Sequence, residues 1–122
     1  MRLYRSVVGA PYTGPGSFWS PDPSVSERYG KRGKRARLIS TDARGRTLEV
    51  SSDDELIDAL TTAGISNAEE RVLNADWFED DVYAVLRRLG YRWVVRPVDL
   101  EISARDVEWI YVGKQPLRWA SA

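Results

Sequence analysis

At 122 residues, with 43% hydrophobic and 30% charged side chains, the chain has the length and make-up of one globular domain with a single core, rather than of a fibrous or disordered protein. It contains neither cysteine nor histidine. Disulfides, thiolate catalysis and cysteine-type zinc are thereby excluded, and hydrolytic triads and most transition-metal sites lose their usual base and ligand.

Chemistry in this chain falls to carboxylates, hydroxyls and guanidinium groups, with no metal expected. No run approaches the ~18 apolar residues of a membrane span, and the N-terminus lacks the apolar core of a secretory signal, so a soluble cytoplasmic protein is expected. The formal net charge of zero conceals two blocks. Residues 28–46 hold eight basic side chains against one acid, whereas residues 49–81 hold eleven acids against one base. Either block reads as a solvated face, and the basic one also as a nucleic-acid contact.

In chain order, Arg2 to Val8 is rich in aromatic and β-branched residues and reads as a first strand, closed by Gly9 and Pro11. Tyr12 to Gly16 is a loop, and Pro21 and Pro23 frame a second turn before Ser24 caps a short helix ending near Gly30. Residues 35–40 form a strand, Ala43 to Gly45 a turn, and Arg46 to Val50 the expected hairpin partner. The acidic turn Ser51 to Glu55, with Leu56, Ile57 and Leu60 at helical spacing and Gly64 as a stop, predicts a helix. Residues 67–76 support at most a helical turn under Val72 and Leu73.

From Trp77 to Leu89 the positions Phe78, Val82, Val85, Leu86 and Leu89 share one helical face, and Gly90 ends the run. Strands are predicted at Tyr91 to Arg96 and Val107 to Val112, with a last extended piece at Leu117 to Trp119. The class is a single α+β domain over residues 1–122, with small mixed or antiparallel sheets and two or three helices. Trp77, Trp93, Trp109 and Trp119 read as core or interface anchors, and Trp19 as a loop residue.

Leu3-Tyr4-Arg5-Ser6 ends a strand, and Gly16-Ser17-Phe18-Trp19-Ser20 leads into a helix bearing Tyr29. Late in the chain, Gly90-Tyr91 opens one strand and Asp106-Val107-Glu108-Trp109-Ile110-Tyr111 another. This sequence of motifs resembles the ADP-ribosyltransferases, although Ser6 stands where that family often has Gly and Arg92-Trp93 replaces an acidic-Gly pair. The resemblance covers roughly residues 2–40 and 77–119. It implies an ADP-ribosyltransferase-like fold and NAD as substrate, in a small toxin or effector of bacterial or phage type.

The implied activity is a mono-ADP-ribosyltransferase modifying a macromolecular target, expected to be a host protein. An NAD glycohydrolase or phosphorylase of the RES type is the alternative. In either, Glu108 stabilises an oxocarbenium-like ribose and Arg5 holds the diphosphate or ribose, because a planar guanidinium pairs with phosphate oxygens. Ser20 or Ser17 orients Glu108, Tyr29 with Trp19 or Tyr12 stacks on the nicotinamide, Tyr4 and Ser6 flank the cofactor, and Asp106 faces the acceptor.

On residue type alone, Arg5 reads as a solvated strand residue and Glu108 as the outward face of an edge strand. A third class therefore stays open: a non-catalytic nucleic-acid- or protein-binding inhibitor, using residues 28–46 or the acidic face.

Overall fold

The computed structural model describes residues 1–24, 26, 35–97 and 107–122. β1 runs Arg2–Val8 and pairs antiparallel with β3 (Ala36–Asp42), which in turn pairs with β7 (Ala120–Ser121). A second sheet has the order β2, β6, β5, β4: Phe18–Trp19, Val107–Tyr111, Tyr91–Pro97 and Arg46–Glu49. Within it β2, β6 and β5 are antiparallel neighbours, and β4 lies parallel to β5.

The two sheets meet at one bridge, Tyr4 with Ser20, closed by backbone hydrogen bonds of 2.7 and 2.9 Å. Three α-helices stand among the described residues: α1 (Asp53–Thr62), α2 (Ala68–Leu73) and α3 (Asp80–Arg88). The whole is a small single domain of mixed α and β content. None of the described helices is long and apolar enough to cross a membrane.

The apolar residues divide between two packing layers. Leu56, Leu60, Val72, Trp77, Val82 and Leu86 pack with Val94, Ile110 and Val112 on the helix side of the second sheet. Leu3, Val7 and Ile39 of the first sheet meet Trp19, Trp93, Val95, Trp109 and Tyr111 of the second, filling the space between the sheets. Strand alternation produces this division: in β6, Ile110 points to the helices while Trp109 and Tyr111 point to the first sheet. Each fully buried aliphatic side chain contributes about 1.5–3 kcal/mol.

α1 begins as its sequence predicts. Ser52 is the N-cap, its Oγ accepting the Glu55 N–H at 3.2 Å, and the Glu55 carboxylate accepts the Ser51 N–H at 2.7 Å. Gly64 follows at φ 91°, a left-handed value that suits glycine at a helix end.

Several expectations are corrected. β3 and β4 do not form a hairpin: the turn before Gly45 (φ 101°) sends β4 to the second sheet, where Leu48 packs toward the helices and the Arg44 carbonyl accepts the Trp93 indole N–H at 3.0 Å. α3 starts at Asp80 rather than Trp77, because Trp77 is committed to the core ahead of the helix. Ala75, at φ 56°, breaks the path from α2 to that tryptophan. α2 is a full short helix, but Leu73 and Leu89 are exposed.

The last strand falls at Ala120–Ser121, just beyond the predicted piece, and Trp119 is exposed. Asp22, not Ser24, caps the turn that opens at Pro23, since its Oδ1 accepts both the N–H (2.9 Å) and the hydroxyl (2.7 Å) of Ser24. The predicted helix end near Gly30 lies outside the described residues.

Candidate functional site

Three strands bring the resemblance-derived residues toward the junction of the sheets. Tyr4 bridges Ser20, Trp19 pairs with Trp109, and the next positions along β2 and β6 are Ser20 and Glu108. Arg5 on β1, Ser20 just past the end of β2 and Glu108 on β6 therefore lie on neighbouring segments, although about a hundred positions separate the first from the last.

β6 is flanked by β2 and β5, so Glu108 occupies an interior strand and not the outward face of an edge. Its side chain is only 15% exposed. Alternation sets it with Ile110 on the helix side of the sheet, where Phe18 also points, since the Phe18 and Phe78 ring centroids are 5.3 Å apart. Ser20, two positions from Phe18, shares that face.

Glu108 is engaged by Arg96, its cross-strand partner on β5, through an ion pair from Nε to Oε1. The Arg96 guanidinium lies 5.5 Å from the Trp77 ring centroid and 5.4 Å from that of Phe78. A cation clamped between aromatic faces and a carboxylate holds that carboxylate in one orientation. The Trp77 indole N–H beneath is buried without a partner among the described residues. Arg96, Phe18 and Phe78 are absent from the sequence-derived site.

Arg5 sits on the other side of the junction. It shares a strand face with Leu3 and Val7, which point into the space between the sheets, and its Nη1 donates to the Phe18 carbonyl at 3.0 Å. Its Nε is buried without a partner among the described residues, and burial lowers the guanidinium below its ordinary pKa while leaving it charged. Arg5 and Glu108 thus reach the junction from opposite faces, each bound to a different neighbour.

The two serine candidates are now distinguishable. Ser17 is buried and its Oγ accepts the Trp19 indole N–H at 2.9 Å, so both serve the core. Trp19 is a buried strand residue, not a loop residue, and offers no open ring face for stacking. Ser20 accepts the Asp22 N–H at 3.1 Å and keeps its hydroxyl proton for a further acceptor.

Tyr4 is half-buried, and its carbonyl accepts the Ser26 hydroxyl; Ser6 is buried in β1. Tyr12 is exposed and donates to the Pro15 carbonyl at 2.5 Å. Tyr29 and Asp106 lie outside the described residues, as do residues 28–34 of the basic stretch.

No protein-family model, curated protein or solved structure matches this chain.

Beside the Phe18–Phe78 contact lies an open cleft of about 600 Å³, walled by Pro15, Gly16, Phe78 and Tyr83 and rimmed by Glu79, Asp80 and Asp81. Gly16 has φ 85°, and a Cβ there would stand 2.9 Å from the Tyr83 hydroxyl, so glycine is required for the loop to pass. Burial, with the nearby Tyr12 and acids, pushes Tyr83 up to about 12, keeping it a neutral donor. Arg71 pairs with two of the three rim acids, Asp81 at 2.8 Å and Glu79 at 3.7 Å, leaving Asp80 as the carboxylate without an ion pair among the described residues. Among the described residues no acidic cluster is suited to a metal ion.

Proposed function

We propose that this chain is an ADP-ribosyltransferase-like enzyme that breaks the nicotinamide–ribose bond of NAD⁺ and transfers ADP-ribose to a macromolecular acceptor. The observation that carries the reading is the strand adjacency β1–β2–β6, which sets Ser20 beside Glu108 on one face and brings Arg5 to the same junction. The absence of histidine and cysteine is compatible with it, because this reaction requires neither.

In the reaction, the bond from ribose C1 to the pyridinium nitrogen breaks, and its electron pair returns to the ring, which leaves as neutral nicotinamide. The acceptor's nucleophilic atom forms the new bond to C1 and loses its proton to solvent or to a carboxylate. Glu108 accepts a hydrogen bond from a ribose hydroxyl and offsets the positive charge growing on the ring, an interaction strongest in the transition state. In this reading Ser20, whose Oγ accepts the Asp22 N–H, turns its hydroxyl proton toward Glu108 when substrate binds and steadies the carboxylate. Arg96 holds the Glu108 carboxylate oriented, and must share it with the ribose when substrate enters.

Arg5 offers a water-excluded N–H to an anionic group at the junction, fitting a phosphate or the ribose beside it. Phe18, 40% exposed, takes the stacking role assigned on sequence to Trp19 or Tyr12, while Tyr29 keeps its candidacy.

Purified protein incubated with doubly labelled NAD⁺, alone and with cell lysate, tests the reading. Nicotinamide release with label on a macromolecule is the expected result, and Glu108→Gln should slow release by about 100-fold or more at a temperature where circular dichroism shows it folded, its melting temperature being lowered by the stranded Arg96. Release without transfer to any macromolecule points to a hydrolase or phosphorylase of RES type. Equal, background-level release by both proteins contradicts an enzymatic role.

A further inference from the structure

The end of the second sheet where β4 and β5 begin carries six cations from four stretches of chain: Arg44, Arg46, Arg87, Arg88, Arg92 and Lys114. Their proximity follows from direct contacts. Arg46 lies opposite Tyr91 in the ladder, its guanidinium 4.5 Å from the Tyr91 ring centroid and its Nη1 donating to the Leu89 carbonyl at 3.2 Å. Arg92 packs against Gly45, and its carbonyl accepts the Val112 N–H at 2.9 Å. Arg87 donates to the Val112 carbonyl at 3.0 Å. Arg87, Arg88 and Lys114 then line an open groove of about 840 Å³ beside the turn at Gly64, Ile65 and Ser66.

None of the six is ion-paired among the described residues, where carboxylates pair with Arg2, Arg71 and Arg96 instead. The one carboxylate lining the groove, Asp81, is neutralised by two 2.8 Å bonds from Arg71. The opposite end of β4 leads through Glu49 to the acidic first turn of α1, so a neutral chain is strongly polarised along this strand.

A solvated surface would leave such cations free to move. Here Arg46, Arg87 and Arg92 each donate to a backbone carbonyl, which holds the guanidinium groups in place with further N–H donors unused. Five of the six are arginines, whose planar fork matches phosphate. They form a band across several elements, which suits a repeating anion better than a single one.

We propose that this end of the sheet is a binding surface for the phosphodiester backbone of a single-stranded nucleic acid. The surface does not depend on NAD⁺ chemistry, and its test reads binding alone.

The test is fluorescence anisotropy of a labelled oligonucleotide of about 12 residues, titrated with the full chain from about 50 to 200 mM salt. With roughly 0.7 counterions released per phosphate, engagement of all six cations gives a log–log slope near −4. Arg88 and Lys114 are exposed, so Arg88→Gln with Lys114→Gln should preserve the fold, weaken binding at least about 10-fold and flatten the slope by about 1.4. Arg118→Gln, an exposed cation outside the band, should change neither.

No binding at about 50 mM salt, or equal losses from Arg118→Gln and the double variant, overturns the proposal. So does polyglutamate of equal charge competing as well as the oligonucleotide, which would make the surface a dock for acidic protein.

Discussion

The side chain that most changes the reading of the site is Arg96. Its pair with Glu108 is shielded, with side chains 26% and 15% exposed, whereas Arg2 and Asp42 form a surface pair at 54% and 56%. Removing one member of a shielded pair strands the other charge, while an exposed pair gives about 0–1 kcal/mol. Arg96→Ala should therefore destabilise by about 2–3 kcal/mol in urea unfolding, against less than about 1 kcal/mol for Arg2→Ala. Equal losses would mean that the Arg96 contact is not held in solution. The sequence offers no signal for this pair, because the register of β5 against β6 depends on a connection without a readable turn motif. Glu108 itself reads, on residue type alone, as the outward face of an edge strand; the motif resemblance singles it out, and its interior position between β2 and β5 is visible only in the sheet order.

Elements governed by local chemistry were readable directly. β1 has the predicted bounds, and α1 has the expected cap, acidic turn and glycine stop. Ser52→Ala should cost about 0.5–2 kcal/mol by chemical denaturation, the usual loss for an N-cap hydroxyl; no change would show that Glu55 alone holds the turn. Bonds from Ser51 lower the Glu55 pKa below its ordinary value. Its contribution is consequently full above the ordinary glutamate value and fades as pH falls through the lowered one. The β3–β4 hairpin failed because adjacency in sequence does not decide between an antiparallel neighbour and a parallel one in another sheet. Trp93 and the glycine at 45 decide it through tertiary contacts. Trp19 was misplaced for a related reason: a two-residue strand between turn residues has no period to read.

At the scale of the molecule, two sheets joined by one bridge among the described residues create a junction at which three strands from distant parts of the chain converge. Composition limited the possible chemistry to carboxylate, hydroxyl and guanidinium groups, and the late strand supplied Glu108, but which serine lies nearest it in the sheet depended on the fold. The polarity of the second sheet was only half visible: the basic block was legible in Arg44 and Arg46, while Arg87, Arg88, Arg92 and Lys114 join them through tertiary packing. The central claim is that Ser20 and Glu108 act as one unit on the ribose of NAD⁺. A double-mutant cycle on nicotinamide release tests it most directly, using Ser20→Ala, Glu108→Gln and the pair, each assayed well below its own melting temperature. The account predicts that Ser20→Ala slows release about 10-fold or more in the wild-type background and has almost no further effect once Glu108 is Gln. Multiplicative losses, or wild-type release no faster than that of Glu108→Gln, would contradict it.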